Sequence, residues 1–252
     1  MPIKRSEAPK GRRELNKEDK VRRIKEAARK LFVTNGYDEA STRKIAIRAD
    51  VAVGTLFLYA ANKRDLLFLV VNDELEDVAL RAAAAVRRDA TFLENLLSAF
   101  RLLYEFFGQE PRLSRLTLRE MMFYDTGHQV KRCMKTRDQM LSLSVDIVRI
   151  AQEKGEIKTR NDARKIGALV FAVFQIEIRH WLMPRKVVVE EGLAQLRQSF
   201  EIITAGLDPE PDALKMPDAA PTTSKTMRFH HRDNGRDDEC ATLSKRRTGN
   251  SQ

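Results

Sequence analysis

From residue 17 onward, apolar positions recur at three- and four-residue intervals, the spacing that returns side chains to one face of an α-helix. Val21, Ile24, Ala28, Leu31 and Phe32 form the first such face. Their helix is predicted to start near Lys17, with Glu18 and Asp19 in its first turn, where the helix dipole favours acids, and to stop at Gly36. The stretch "STRKIAIRA" follows, with Ser41 or Thr42 placed to cap it, and residues 62–86 read as one long helix capped by Asn62. Further helical patterns cover 91–107, 112–124, 129–155, 162–183 and 187–206, with breaks at or beside Pro111, Gly127, Gly155 and Pro184. No strand-like alternation of any length occurs in this second part, and there is no internal repeat. The pattern predicts an all-α chain.

One stretch resists that reading. In "ADVAVGTLFLYAANKRDLL", residues 49–67, the apolar run is interrupted by Gly54, and Thr55, Phe57, Leu58 and Tyr59 cannot all face one core. Two short helices, 42–49 and about 53–59, with a tight turn at Asp50-Val51, resolve the problem as a helix-turn-helix. The turn needs a residue that accepts positive φ, which Asp50 does at modest cost. Ala46, Ala49, Val51 and Leu56 are small or apolar where the two helices must approach. The second helix is then the reader. Gly54 lets it come close to a duplex. Thr55 and Thr42 can bond phosphates or base edges, and Phe57, Leu58 or Ala52 can meet thymine methyls. Tyr59 and Lys63 can clamp phosphates, and Arg43 can reach a guanine edge or a phosphate. With Lys44 and Val53, these residues make up the candidate DNA interface. Packing on the first helix, the one that ends at Gly36, is the second reading for Phe57 and Tyr59.

Charge sharpens the picture. Of the net +10, residues 1–63 carry +8, with 16 Lys/Arg against 8 Asp/Glu, whereas 64–206 carry only +2. A basic unit on a near-neutral body points to a polyanion as the partner of that unit alone. Residues 1–16, with Pro2, Pro9 and Gly11, read as a flexible basic arm. The tail 207–252 holds four of the eight prolines and few apolar residues, and reads as disordered. No apolar run approaches the ~20 residues that span a bilayer, the N-terminus lacks a secretory h-region, and two cysteines make no disulfide framework. A cytoplasmic setting follows, with no membrane partner.

The residues "ASTRKIAIRADVAVGTLFLYAANKRDLL" also resemble the TetR family of transcriptional regulators. The matching positions run from Gly36-Tyr37 through Thr42, Ile45-Ala46, Ala49, Val51, Gly54-Thr55-Leu56-Phe57, Tyr59 and Lys63 to Leu66-Leu67, so the likeness covers roughly residues 17–70. It implies a three-helix DNA-binding domain at 17–64, joined by a long helix to an effector-binding and dimerisation domain at 65–206. It further implies a homodimer on a palindromic double-stranded operator, released by a small effector, with Thr42, Arg43, Thr55, Tyr59 and Lys63 touching DNA. The chain departs from the family pattern at Asp50, Ala52-Val53 and Ala60-Ala61, and the second departure suggests an apolar readout. An architectural or cell-division DNA-binding protein with no small-molecule switch is the other reading of the same motif.

In the body, Phe100, Tyr104, Phe107, Met121, Met122 and Phe123, with Phe171, Phe174 and Gln175 opposite, are candidates to line a cavity for a lipophilic effector, although core packing explains most of them equally well. Ile166, Leu169, Val170, Val173 and Ile176, with Leu193, Leu196, Phe200 and Ile203, exceed what one domain needs inside, and are candidates for a two-fold four-helix interface. His230-His231 with Cys240 match no zinc spacing, His180-Trp181 read as a packed pair, and Cys133 reads as an ordinary helical residue. No phosphate loop or catalytic triad is apparent, so neither a cofactor nor an enzyme activity is expected.

Overall fold

A computed structural model describes residues 11–159 and 161–206, and the regular elements among them are all helices: α1 (Arg12–Asn35), α2 (Thr42–Arg48), α3 (Val53–Phe57), α4 (Lys63–Ala84), α5 (Phe92–Gln109), α6 (Pro111–Met121), α7 (Val130–Glu153), α8 (Ala163–Leu182) and α9 (Val189–Ala205). Helix α1 begins five residues before Lys17. Residues 12–16, assigned to the arm from sequence, are helical. Their charged side chains are exposed and compatible with a helix, and the chain has no breaker between Gly11 and Gly36. The predicted tail, with His230, His231 and Cys240, lies outside the described residues.

Helix α4 holds the architecture together. Residues Asp65 to Asn72 are buried without a break, because this half of the helix is enclosed by α1 on one side and by α6 and α7 on the others. That enclosure is why "LLFLVV" shows no amphipathic period. Ile24, Ala28 and Phe32 of α1 and Leu56 of α3 join the same apolar core as Phe100 of α5, Ile147 of α7 and Phe200 of α9. The helix-turn-helix is therefore continuous with the body and not hung from it. Helices α7 and α8 approach so closely that a Cβ on Gly167 would sit 2.7 Å from the Val145 Cα. Ion pairs brace the junction: Arg29 of α1 pairs with Glu74 at 2.5 Å and with Glu110, and Arg132 of α7 pairs with Glu76 at 2.8 Å and Asp73 at 2.7 Å.

Candidate nucleic-acid interface and ligand cavity

The turn between α2 and α3 is a Schellman motif. The Asp50 amide donates to the Ile47 carbonyl at 3.2 Å and the Val51 amide to the Ala46 carbonyl at 3.0 Å, with Asp50 left-handed at φ 53°. The residue singled out from sequence thus occupies the position that demands positive φ. Sequence gave no sign of Arg23. Its Nη1 donates to the Ala49 carbonyl at 2.8 Å, the Asp50 carbonyl at 3.1 Å and the Asp50 carboxylate at 3.3 Å, tying α1 to the turn. Ser41, not Thr42, is the cap of α2, since its Oγ accepts from the Lys44 amide at 3.2 Å. The Thr42 hydroxyl is left available for other partners.

The reader's outer surface has little to do inside the chain. Arg43 makes no hydrogen bond or ion pair with the described residues, and Ala52, Val53, Gly54, Phe57 and Leu58 are exposed, Leu58 at 74%. A Cβ on Gly54 would meet open space, so nothing in the chain itself requires glycine there. Thr42, Thr55 and Tyr59 are half-buried, and Tyr59 leans on the core. Lys63 is not free. Its Nζ donates to the Tyr37 carbonyl at 2.8 Å and the Asp38 carbonyl at 3.4 Å, and lies 4.3 Å from the Tyr37 ring centre. Lys44 similarly rests on the Glu39 carbonyl at 3.1 Å. Ile47, on the outer side of α2, is 71% exposed and was not among the sequence candidates. Its position one residue from Arg48, on a helix too short to show a period, hid it.

An apolar cavity of about 50 Å³ lies among α4, α5, α6, α7 and α8. Of the predicted lining, Phe107, Met121, Phe171, Phe174 and Gln175 are there. Met122 and Phe123 are not: they are 58% and 78% exposed, because α6 stops at Met121 and the chain turns outward. Phe100 and Tyr104 lie behind the wall. Phe100 stacks on Phe174 at 4.3 Å, and Tyr104 packs on Trp181 at 4.7 Å with its hydroxyl buried and unbonded. Trp181 is buried as predicted, but His180 is exposed. Four lining residues come from α7, Cys133, Thr136, Arg137 and Met140, and sequence reasoning missed them because nothing in the pattern of α7 shows which face meets the cavity. Burial pushes the Cys133 thiol up to about 11, so it is not a reactive thiolate near neutral pH. A larger and somewhat more open groove of about 870 Å³ runs between α4 and α7, beside Leu80 and Lys131.

The α6–α7 loop is fastened to the base of α4. The fully buried Asp65 accepts from the Ala61 amide at 2.7 Å, the His128 and Gln129 amides at 2.8 Å each, and the Tyr124 hydroxyl. Burial by itself would raise this carboxyl. The Tyr124 hydroxyl and the Ala61, Gln129 and His128 amides outweigh that effect and hold it below the usual carboxylate range. Gly127 has φ 138°, and a Cβ there would fall 2.4 Å from Asp65 Oδ1. Tyr124 stacks on Phe68 at 4.0 Å. The Gln129 side chain donates to the Tyr59 carbonyl at 3.3 Å, and Arg64 reaches Glu120 at 2.9 Å and the Phe123 carbonyl at 3.0 Å. The loop that follows the cavity wall therefore grips the end of the reader.

The predicted interface set divides in two. Val170, Leu193, Leu196 and Phe200 are buried in the chain's own core and cannot meet a second copy, because α8 and α9 turn that face to α5 and α7. Leu169 and Ile176, 54% and 52% exposed, and Ile203 remain on the surface, with Ile166 and Val173 half-buried.

Comparison with known proteins agrees with this geometry. Residues 24–70 match the family model of bacterial regulatory proteins, tetR family. The fatty acid metabolism regulator protein of Bacillus subtilis is 25% identical over 169 residues, which are 66% of this chain and 86% of that one. The transcriptional repressor KstR of Mycolicibacterium smegmatis is 29% identical over 169 residues, 66% of this chain and 78% of that one. Among solved structures, FadR of B. subtilis with stearoyl-CoA superposes with a TM-score of 0.58 at 22% identity, covering 70% of this chain and 95% of that one. Thermus thermophilus FadR with lauroyl-CoA gives 0.56 at 20% identity, covering 76% and 97%. These likenesses show a shared fold.

Proposed function

We propose, from the premise that this chain belongs to the TetR family of transcriptional regulators, that it is a sequence-specific repressor released from its operator by a lipophilic effector. The observation that carries the DNA-binding half is the reader itself. Asp50 sets its angle, and Arg43, Val53, Gly54, Phe57 and Leu58 face outward without a task in the chain. Arg43 is suited to a guanine edge or a phosphate, and the apolar residues suit thymine methyls. Lys63 and Tyr59 lie where phosphates would flank the reader, and the Lys63 ammonium keeps a donor beyond the two carbonyls it holds.

The effector half rests on the cavity. Its walls are apolar, which suits an acyl chain, and the relative named a fatty acid metabolism regulator points the same way. At about 50 Å³ it has room for about a water or two. An effector must therefore part α6, α7 and α8 to enter. Parting them moves the loop bonded to Asp65 and Tyr59, and so strains the reader's hold on DNA. The protein acts as a cytoplasmic homodimer, with Leu169 and Ile176 on the shared face, and performs no catalysis. The test is to map bound DNA across the genome of its host, then titrate the recovered site with acylated compounds. A palindromic site released by such a compound supports the reading. Binding without sequence preference, untouched by every compound, supports the architectural one.

A further inference from the structure

The cavity's walls are apolar except at the edge between α7 and α8, where Thr136, Arg137 and Gln175 contribute polar groups. The Thr136 hydroxyl is already spent on the Arg132 carbonyl at 3.1 Å. Arg137 has no acidic partner among the described residues, and its Nη1 comes only to 4.0 Å from the Met134 sulfur. One turn beyond Gln175 lies Arg179, half-buried, whose guanidinium donates to the Gln175 carbonyl and, at 2.8 Å, to the Gln175 Oε1, and again to no acid. Arg137 is exposed, and the half-buried Arg115 of α6 likewise rests on carbonyls, those of Leu182 and Pro184, whereas two other half-buried arginines of this body are matched by acids. Arg132 has Glu76 and Asp73, and Arg101 has Glu190 at 2.5 Å. Burial with nothing opposing it holds the Arg179 guanidinium below its usual range. A sheltered charge satisfied only by neutral oxygens keeps most of its desolvation cost, and an oxyanion would offset it.

We propose that the effector is an amphiphile with an anionic head, held by Arg179 and Arg137 at the α7–α8 rim while its chain enters the apolar cavity. Gln175 positions Arg179 by accepting from it, and the planar guanidinium suits a carboxylate or a phosphate equally. This inference rests on the effector reading above. The competing use of Arg179 is a carboxylate of a second copy, since Ile176, one turn earlier on the same helix, is exposed.

The test is calorimetry on the full chain with three probes sharing one acyl length: palmitate, palmitoyl-CoA and the uncharged hexadecanol, each below its micelle concentration. The expected result is binding of at least one anionic probe about tenfold or more tighter than hexadecanol, and the anion that wins identifies carboxylate or phosphate as the head. Arg179→Met with Arg137→Met should weaken that anion about ten- to a hundredfold, leave hexadecanol nearly unchanged, and be largely rescued at position 179 by Arg179→Lys. Three results overturn the proposal: hexadecanol binding the unaltered protein as tightly as both anions, the variant losing all probes equally, or Arg179→Met shifting only the dimer dissociation constant. Each leaves the effector reading standing as long as hexadecanol binds. Binding of none of the probes overturns this proposal and the acyl-chain reading together.

Discussion

Asp50 is the only non-glycine residue with positive φ among those described, and it stands at the pivot of the DNA reader. A short polar side chain tolerates this region, whereas a β-branched one does not. Asp50→Val is expected to cost about 1–3 kcal/mol in denaturant unfolding. Asp50→Gly should stay within about 1 kcal/mol, because it relieves the backbone while losing only the exposed arm of the Arg23 contact. Equal losses from both would mean that the backbone conformation is not what matters. At the DNA surface, Lys63→Ala should weaken binding to all sequences and reduce the salt slope by about one. Arg43→Ala should relax discrimination at one base position. Anisotropy titrations over a salt series and a panel of single-base operator variants separate the two. An unchanged slope for Lys63→Ala would leave its ammonium on the Tyr37 and Asp38 carbonyls and off the DNA.

At the scale of elements, the base of α4 and the α6–α7 loop are joined through one carboxylate. Asp65 is acceptor-only, and four donors converge on it. Asn would turn an NH₂ toward one pair of those donors. Asp65→Asn is expected to cost about 3 kcal/mol at neutral pH. The sign of its pH dependence follows from the lowered carboxyl. The stabilisation is full above the unfolded-state value near about 4 and is lost as pH falls through the lower folded-state value. The wild type should therefore lose stability more steeply than Asp65→Asn below about pH 4, read from thermal melts in an acid series. Parallel curves would mean that the carboxylate is not the source. Gly127→Ala should resemble Asp65→Asn in stability, since its Cβ would collide with the same carboxylate, but it should not flatten the acid limb.

At the scale of the molecule, α8 separates apolar residues that hold the fold from apolar residues left on the surface, which the proposed function assigns to a second copy. Leu169→Glu with Ile176→Glu should yield a folded monomer in sedimentation, whereas Val170→Ala should lower stability by about 2 kcal/mol or less and leave the dimer intact. A dimer surviving the double glutamate substitution would move the interface elsewhere. A two-fold dimer on successive major grooves needs its readers about 34–36 Å apart. Because α4 runs from the reader into the body as one helix, opening the cavity is expected to change that spacing. An effector that favours the open state ~100-fold supplies roughly 3 kcal/mol of coupling, and operator DNA must then weaken effector binding by the same factor. Calorimetry with and without saturating operator measures this directly. Equal affinities would rule out the switch.

The sequence by itself determined the all-α class, the bounds of most helices and the helix-turn-helix with its pivot at Asp50. Each of these is local: helical period, breakers and the conformational tolerance of one residue act within a few positions of chain. The tertiary structure decided what depends on which face meets which. Val170 and Leu169 are adjacent in sequence and equally apolar, yet one is core and the other surface, because only the packing of α8 on α7 distinguishes them. Met122 and Phe123 read as cavity lining until α6 stopped one residue short of them, and Tyr124, next in line, turned inward to Asp65. Nothing in the sequence pattern marks Arg23, Arg137 or Arg179. Their roles arise from partners brought to them, or withheld from them, by helices distant in the chain, and periodicity carries no record of that.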